Sequence, residues 1–212
     1  FLSAGSMKFA VEKIKEAVDA GFDSVHFDGS ELPYEENVKE TKKAVEYAKS
    51  KNPEISAEGE LGYLRGSSKV QEAVEISPED FTNPDEARDF VSRTGVDRFA
   101  PVFGNIHGIV TKQEEKLDIE RIELIRAKTD VFLVLHGGSG LKASDIGEAI
   151  KAGIVKVHIN TELRVAYRRA LEKVLGDFQN ETTPYKLLAP VVEAIQKVVE
   201  EKITLFGSAN RL

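Results

Sequence analysis

Two patterns of apolar positions alternate along the chain. One continuous apolar run, at residues 131–135, and shorter mixed segments at residues 24–28, 55–61, 98–103 and 154–159 predict strands. Apolar residues spaced three and four positions apart predict helices at residues 8–20, 33–51, 82–94, 118–127, 140–153, 162–175 and 184–202. A further strand is expected in the few residues before Gly5. This alternation of strand and helix predicts an α/β fold with a parallel sheet, either doubly wound or a (β/α)8 barrel.

The positions of polar residues favour the barrel. Functional-looking side chains follow each predicted strand, at Asp28, Glu60, His107, His136 and Asn160. A doubly wound sheet gathers its site at one switch point, whereas a barrel gathers residues from many strand ends. We therefore predict a (β/α)8 TIM barrel. Because a full barrel has eight strands and typically about 250 residues, residues 1–212 are expected to form a single barrel domain that lacks its first two βα units.

The amino-acid composition limits the kinds of partner and site that the chain is expected to have. The 212-residue chain has a net charge of -7, which argues against general binding to nucleic acid or to anionic membranes. It contains no cysteine, so neither a disulfide framework nor a thiolate metal site is expected. No signal peptide and no transmembrane run is visible in the sequence, and a cytoplasmic protein is expected.

Histidines are the first candidates for metal ligands. The chain has four, and His26, His107, His136 and His158 all fall within predicted strands or at their ends. A lone histidine is more often a surface or core residue, but four at one end of a parallel sheet favour a function. His107 and His136, each followed by glycine, form the strongest pair. Neutral imidazoles together with carboxylates suit Zn²⁺ or a similar divalent ion.

Acidic residues supply further candidates. Glu58 and Glu60 share one face of the strand predicted at residues 55–61. Glu60 is favoured as a metal ligand or an acid/base, and a solvated edge pair is the alternative. Asp28 is either a metal ligand or the cap of the turn that follows it. The polar loop at residues 62–78 is long for a βα connection, which is typical of a functional loop.

Two strand ends late in the chain predict phosphate binding. Gly137, Gly138 and Ser139 form a glycine-rich turn after one strand, and Asn160 and Thr161 follow the next. Barrels often bind phosphate at their last two strands, where backbone N–H groups and a helix N-terminus point at the anion. An ordinary tight turn is the alternative, because glycine serves any sharp change of direction.

Several long motifs occur in an order that resembles a known family. The segments EGELGYLRG, TGVDRFAPVFGNIHG, LVLHGGSGL and VKVHINTELR resemble those of class II, zinc-dependent fructose-bisphosphate aldolases, and the resemblance covers essentially the whole chain. It implies a (β/α)8 barrel that forms a homodimer or homotetramer. It also implies a lyase of glycolysis and gluconeogenesis that reversibly cleaves a sugar bisphosphate, fructose 1,6-bisphosphate, into the triose phosphates dihydroxyacetone phosphate and glyceraldehyde 3-phosphate.

The resemblance also implies roles for individual residues. His107 and His136 match two of the three histidine ligands of the catalytic zinc, and Asp28 and Glu60 match acidic positions of a second metal position. The loop that binds phosphate and a monovalent cation, Na⁺ or K⁺, is matched by Gly108, Gly137, Ser139, Asn160 and Thr161. Residues 62–78 match the mobile active-site loop.

The chain departs from the family pattern at positions that carry the acid/base and the zinc ligands. Gly5 and Ser6 stand where the family has an Asp that acts as acid/base and a His that is the third zinc ligand. His158 replaces the usual Asn, and Asn160 replaces the usual Asp. Weak or no cleavage is therefore expected, with Glu60 or His158 as the residues to replace the missing groups. The alternatives are a catalytically impaired, phosphate-binding relative of the aldolases and an aldolase of tagatose bisphosphate.

Overall fold

The structure, a computed structural model, describes residues 10–211 of the chain. Gly5, Ser6 and the strand expected before them lie outside the described residues. Within the described part, seven strands form two sheets. Their bounds are β1 (Ser24–Phe27), β2 (Ser56–Leu61), β3 (Gly66–Gln71), β4 (Arg98–Pro101), β5 (His107–Val110), β6 (Phe132–Leu135) and β7 (Ile154–Val157).

Helices occupy the predicted segments between the strands. They are α1 (Ala10–Asp19), α2 (Tyr34–Lys51), α3 (Pro84–Thr94), α4 (Ile119–Lys128), α5 (Ala143–Ala152), α6 (Thr161–Asp177) and α7 (Pro184–Leu205). Local chemistry sets the ends of α3, since the Asn83 side chain accepts hydrogen bonds from the first turn and Gly95 ends the helix with a φ of +70°. Among the helices of residues 10–211, none combines the length and apolar composition needed to cross a bilayer.

The larger sheet has five strands in the order β1-β2-β4-β6-β7, and every neighbouring pair is parallel. The predicted parallel α/β fold is therefore confirmed. The strand order also separates the two alternatives, because a doubly wound sheet reverses its order at a switch point. Here the order increases steadily across the sheet, as it does around a (β/α)8 barrel. The described residues supply five strands of such a barrel.

A second, two-stranded sheet corrects the prediction for the polar loop at residues 62–78. Strand β3 pairs in parallel with β5, and a 3-10 helix at Pro78–Asp80 follows. The side chain of Gln71 also donates a hydrogen bond to the carbonyl of His107, at 2.6 Å. Strand β3 is polar and mostly exposed, so hydrophobic periodicity does not reveal it. One consequence is that His107 begins β5 instead of ending a strand of the larger sheet.

Alternation along β2 separates the two faces of the larger sheet. A side chain at Gly59 would contact Phe90 and Val96, so this face packs on the helices. The hydrophobic core between the sheet and the helices includes Phe90, Phe99, Ile122, Leu133 and Ile146, all fully buried. Glu58 and Glu60 point to the opposite face because successive strand residues alternate. That face, the barrel interior, carries paired ionisable groups from several strands.

Candidate active site in the barrel interior

His136 stands at the centre of the barrel interior. It directly follows β6 and is only 3% exposed. Its Nε2 atom lies 2.9 Å from Oε1 of Glu58, and its Nδ1 atom lies 3.2 Å from Oε2 of Glu60. Both nitrogens of one imidazole are therefore held by carboxylates of the same strand, two residues apart.

Glu58 is held in its ionised form by a set of partners. Its Oε2 atom accepts hydrogen bonds from Nε of Arg98 at 3.0 Å and from Nζ of Lys156 at 2.8 Å. Burial alone would raise the pKa of Glu58, but His136, His26 and Lys156 lower it well below its ordinary value. An ionised carboxylate only accepts hydrogen bonds. Nε2 of His136 therefore carries a proton and donates a hydrogen bond to Glu58.

Glu60 is ionised for a related reason. Burial favours its neutral form, but the neighbouring side chains of His136 and His26 outweigh this effect and lower its pKa to about 2. Nε2 of His26 lies 3.4 Å from Oε2 of Glu60, and the rings of His26 and His136 meet edge to face with centroids 5.1 Å apart. Strand β1 thus brings a second histidine to the same carboxylate oxygen.

His158 also contacts His136. The two rings stack with centroids 4.2 Å apart and planes 20° from parallel. Burial and the neighbouring charge of His136 lower the pKa of His158 to about 3, so its ring is neutral at pH 7. The backbone N–H of His158 donates to the carbonyl of Leu135 and extends the pairing of β6 with β7.

His107 and Asp28 approach the same region from other elements. Burial lowers the pKa of His107, while the charges of Glu60 and Asp28 oppose the shift. An interaction with the backbone of Leu64 also opposes the lowering of the His107 pKa. Oδ1 of Asp28 accepts hydrogen bonds from the N–H and the hydroxyl of Ser30, at 3.0 and 2.6 Å. Asp28 thus has the contacts of a turn cap, and its role as a metal ligand remains a prediction.

The glycine-rich turn after His136 is tightly constrained. Gly137 has a φ of +71°, and a Cβ atom there would lie 2.0 Å from the carbonyl oxygen of Ile106. The N–H of Gly138 donates to the carbonyl of His158 at 3.1 Å. Gly108 also has a positive φ, +104°, in the neighbouring strand β5. The backbone after β6 can follow this path only because the positions lack side chains.

The two predicted halves of the phosphate site lie in contact. Oγ of Ser139 accepts hydrogen bonds from the N–H groups of Asn160 and Glu162, at 3.2 and 3.3 Å. The N–H of Gly140 donates to the carboxylate of Glu162 at 2.8 Å. Thr161 is buried and begins α6. The glycine-rich turn is therefore fastened to the N-terminus of a 17-residue helix, whose positive dipole end favours anions.

Three interior residues have no specific role in the sequence-based prediction. His26 is one of the four candidate histidines but receives no role of its own, and Arg98 and Lys156 are not candidates. A signal existed in retrospect, since His26, Glu58 and Arg98 face the barrel interior at adjacent positions in the sheet register. Recognising it requires the register of the strands, which single-strand patterns do not provide.

Comparison with known proteins agrees with this geometry. A sequence profile of the family described as fructose-bisphosphate aldolase class-II matches residues 7–211. A fructose-bisphosphate aldolase of Staphylococcus aureus is 43% identical over 200 residues, covering 94% of this chain and 68% of the relative. The corresponding protein of Geobacillus stearothermophilus is 40% identical over 202 residues. The crystal structure of the YdjI aldolase from Escherichia coli K12 is similar, with a TM-score of 0.77, 35% identity, and coverage of 94% of this chain and 67% of that one.

Proposed function

The chain belongs to the class II fructose-bisphosphate aldolase family, and we propose that it catalyses reversible, metal-dependent cleavage of fructose 1,6-bisphosphate into dihydroxyacetone phosphate and glyceraldehyde 3-phosphate. One observation carries the proposal. His136 is clamped between Glu58 and Glu60 and leads directly into a glycine-rich turn that is fastened to the N-terminus of α6. The proposed metal ligand and the proposed anion-binding turn are thus adjacent, as a phosphorylated ketose requires.

The interior residues fit a divalent metal ion such as Zn²⁺. Nδ1 of His136 and Oε2 of Glu60 offer nitrogen and oxygen donors, and Nε2 of His26 is buried with no hydrogen-bond partner in the described part of the chain. We propose His107, His136, Glu60 and Asp28 as the residues that hold the ion. When bound, such an ion polarises the carbonyl of the substrate and stabilises the negative charge that develops on cleavage.

Glu58 contributes by orienting His136. Its carboxylate accepts a hydrogen bond from Nε2, so Nδ1, which faces Glu60, is the nitrogen that can bind a metal ion once it has released its own proton. Arg98 and Lys156 neutralise the charge of Glu58 and fix the position of its carboxylate. The orientation of His136 is therefore set before any ligand binds, and this preorganisation is what an electrostatic catalyst needs.

Proton transfer is the weak point of the proposed reaction. Gly5, at the usual acid/base position, has no side chain that could carry a proton. Glu60 and His158 are the candidates to carry it, because both contact His136 in the barrel interior. A positioned acid/base contributes roughly 10²–10⁴-fold to rate, so we expect slow turnover compared with relatives that keep the Asp.

Substrate phosphate is proposed to bind at the glycine-rich turn after His136, which is hydrogen-bonded to the N-terminus of α6. The groups that would surround it are the backbone of Gly108, Gly137 and Gly138 and the polar side chains of Ser139, Asn160 and Thr161. Backbone N–H groups in such a concave turn and the adjacent helix N-terminus both attract an anion, which an acidic chain otherwise repels. A monovalent cation, Na⁺ or K⁺, is proposed to balance the charge in this loop.

A cytoplasmic homodimer or homotetramer is the proposed form of the enzyme. Large apolar side chains on α7 and at the C-terminal end of α6 are exposed, among them Phe178, which follows α6, and Tyr185 and Val192 on α7, at 57, 74 and 60%. Exposed apolar side chains that cluster on packed helices are typical of protein interfaces. Neither a nucleic acid nor a membrane surface is proposed as a partner, because the net charge is -7.

The proposal is tested by measuring triose phosphates formed from fructose 1,6-bisphosphate, with tagatose 1,6-bisphosphate as the competing substrate. Cleavage should be saturable, should stop when a chelator is added, and should return with Zn²⁺. The His136→Gln variant is the matched control, because it removes a ring nitrogen from between the two carboxylates. A chain that binds phosphate and metal but forms no triose phosphate contradicts the proposal. That result would favour the second candidate, a phosphate-binding relative without catalysis, which Gly5 and Ser6 support.

A further inference from the structure

Nε2 of His26 is a buried nitrogen without a hydrogen-bond partner among the described residues. The side chain as a whole is 22% exposed, so the ring is not wholly enclosed by the described residues. Its nearest acidic atom, Oε2 of Glu60, is 3.4 Å away, beyond the usual range of an N–H···O hydrogen bond. A buried polar atom without a partner carries a free-energy cost, and a ligand that binds there would remove it.

The spacing of the surrounding atoms matches a coordination sphere. Ligand atoms of His26, Glu60 and His136 all lie within 4.8 Å of one another. Oε2 of Glu60 is 3.4 Å from Nε2 of His26 and 3.2 Å from Nδ1 of His136. Two donors, each about 2.0–2.1 Å from a tetrahedral zinc ion, lie roughly 3.3 Å apart. Both separations are therefore close to those expected of ligand atoms that share one ion.

The orientation of the two rings is also suitable. The planes of His26 and His136 are perpendicular. The lone pair of an imidazole nitrogen lies in the ring plane, so an edge-to-face pair can direct two nitrogens at one point. His136 meets the remaining requirement, since its Nε2 atom is held by Glu58 and its Nδ1 atom faces Glu60.

A second group of potential ligands in the same interior is less suitable. Glu58, His136 and His158 also bring ligand atoms within 4.8 Å of one another. However, Oε2 of Glu58 is bound to Arg98 and Lys156, and these cations would repel a divalent ion. The rings of His136 and His158 are stacked, which directs their lone pairs side by side instead of toward one point.

We propose that His26 is a direct ligand of the divalent ion, in one set with Glu60 and His136. Two histidines and one carboxylate form a donor set typical of Zn²⁺ sites that leave further positions open for water or substrate. This inference rests on the proposed function only in assuming that a divalent ion binds in the barrel interior. It assigns the ion a ligand from β1 in a chain whose residue 6 is a serine.

Binding of Co²⁺ alone tests the assignment, with affinity measured by competition against a chromogenic chelator. The His26→Met variant should bind Co²⁺ at least about 100-fold more weakly, more than the roughly 10–100-fold that loss of an outer partner costs. The matched control is His158→Met, which removes the other histidine that contacts His136 and should weaken binding by less than about tenfold. The assignment is overturned if His26→Met binds Co²⁺ as tightly as the unaltered chain. Equal losses in the two variants would also overturn it.

Folding of the variants is checked by circular dichroism. If His26→Met does not fold, the test uses the unaltered chain with ¹¹³Cd²⁺ and ring-¹⁵N histidine, in which four imidazoles give assignable signals. A ¹¹³Cd–¹⁵N coupling at Nε2 of His26 is expected, and its absence in the metal-bound chain overturns the assignment.

These measurements are independent of catalysis. A chain that binds Co²⁺ through His26 but cleaves no sugar bisphosphate keeps this inference and loses the proposed function. A chain that cleaves the substrate while His26→Met binds Co²⁺ normally keeps the function and loses the inference.

Discussion

Oε1 of Glu58 lies 2.9 Å from Nε2 of His136, and Glu58 itself is fully buried between two cations. The carboxylate, on β2, therefore connects the cations of β4 and β7 to the residue that follows β6. Such outer partners fix the orientation of a ligating imidazole and are a large part of a metal site's design. The pair also ties together strands that are not neighbours, so stability and site geometry depend on the same residue.

Removing the charge of Glu58 should therefore lower both the free energy of unfolding and the affinity for a metal ion. Glu58→Gln leaves Arg98 and Lys156 facing a neutral amide, and breaking a buried ion pair costs about 3–5 kcal/mol. Because Lys156 is 40% exposed and can reach water, we expect a smaller loss than this range, about 2–3 kcal/mol by urea unfolding. Co²⁺ affinity should fall roughly 10–100-fold.

Glu16→Gln is the control for this change, because Glu16 forms an exposed ion pair with Lys13 on α1. Exposed pairs contribute about 0–1 kcal/mol, so this variant should unfold like the unaltered chain. Equal stability of Glu58→Gln and Glu16→Gln would contradict the network described for Glu58.

Gly137 should not tolerate any side chain. An alanine there would be held at a φ of +71° with its Cβ 2.0 Å from the carbonyl oxygen of Ile106. The positive φ alone costs about 1–2 kcal/mol, and the clash with backbone adds to it. Gly147→Ala is the control, because Gly147 lies in α5 with open space around it and should gain about 0.5–1 kcal/mol. Thermal unfolding should show a lower midpoint for Gly137→Ala and a higher midpoint for Gly147→Ala than for the unaltered chain. A Gly137→Ala protein as stable as the unaltered chain would contradict the close approach of residue 137 to the carbonyl of Ile106.

Much of the fold follows from the sequence for a physical reason. Each of the five strands of the larger sheet contains buried apolar residues, and the spacing of apolar residues reports burial directly. Strands β3 and β5 could not be found in this way, because β3 is polar and depends on backbone pairing and on contacts such as that of Gln71 with His107. Periodicity cannot detect a strand that buries little apolar surface.

The site was predictable only where a residue's own position reveals its role. His136 follows a buried strand and precedes a glycine-rich turn, so its place at the strand end could be read from the chain and is confirmed. His26 sits in the middle of a short strand, and its proximity to Glu60 and His136 depends on strand order and register. Arg98 and Lys156 are ordinary surface residue types, and no local sequence pattern indicates that they contact Glu58.

Ser139 should contribute to both structure and substrate binding. Its Oγ accepts hydrogen bonds from the N–H groups of Asn160 and Glu162, in the manner of a helix cap. Ser139→Ala should cost about 1 kcal/mol of stability, the usual cost of losing a cap. If phosphate binds at this turn, KM should rise more than kcat falls, because the reacting carbonyl is elsewhere. Ser144→Ala, at an exposed serine of α5, is the control and should change neither quantity; an unchanged KM in Ser139→Ala would contradict the phosphate assignment.

Because Glu115 is buried, the stability of the folded protein should depend on pH. It is 7% exposed, its Oε1 accepts the N–H of Ile106 at 3.1 Å, and burial raises its pKa to about 8. In the unfolded chain a glutamate has a pKa of about 4.3, so between these values the folded state holds a proton that the unfolded state has released. Stability must therefore fall as the pH rises from about 4.3 to 8 and stay low above that range.

Glu115→Gln should remove this dependence, because an amide imitates the protonated carboxyl and still accepts from Ile106. At pH 5 the variant and the unaltered chain should unfold at similar urea concentrations. At pH 9 the variant should be more stable by up to about 5 kcal/mol, since the shift of the Glu115 pKa from about 4.3 to about 8 corresponds to about 1.4 kcal/mol per unit. Glu114→Gln is the control, because Glu114 is exposed and paired with Lys142, and it should follow the unaltered chain at every pH. If the free energy of unfolding changes with pH in the same way in Glu115→Gln and in the unaltered chain, Glu115 is already ionised in the folded protein.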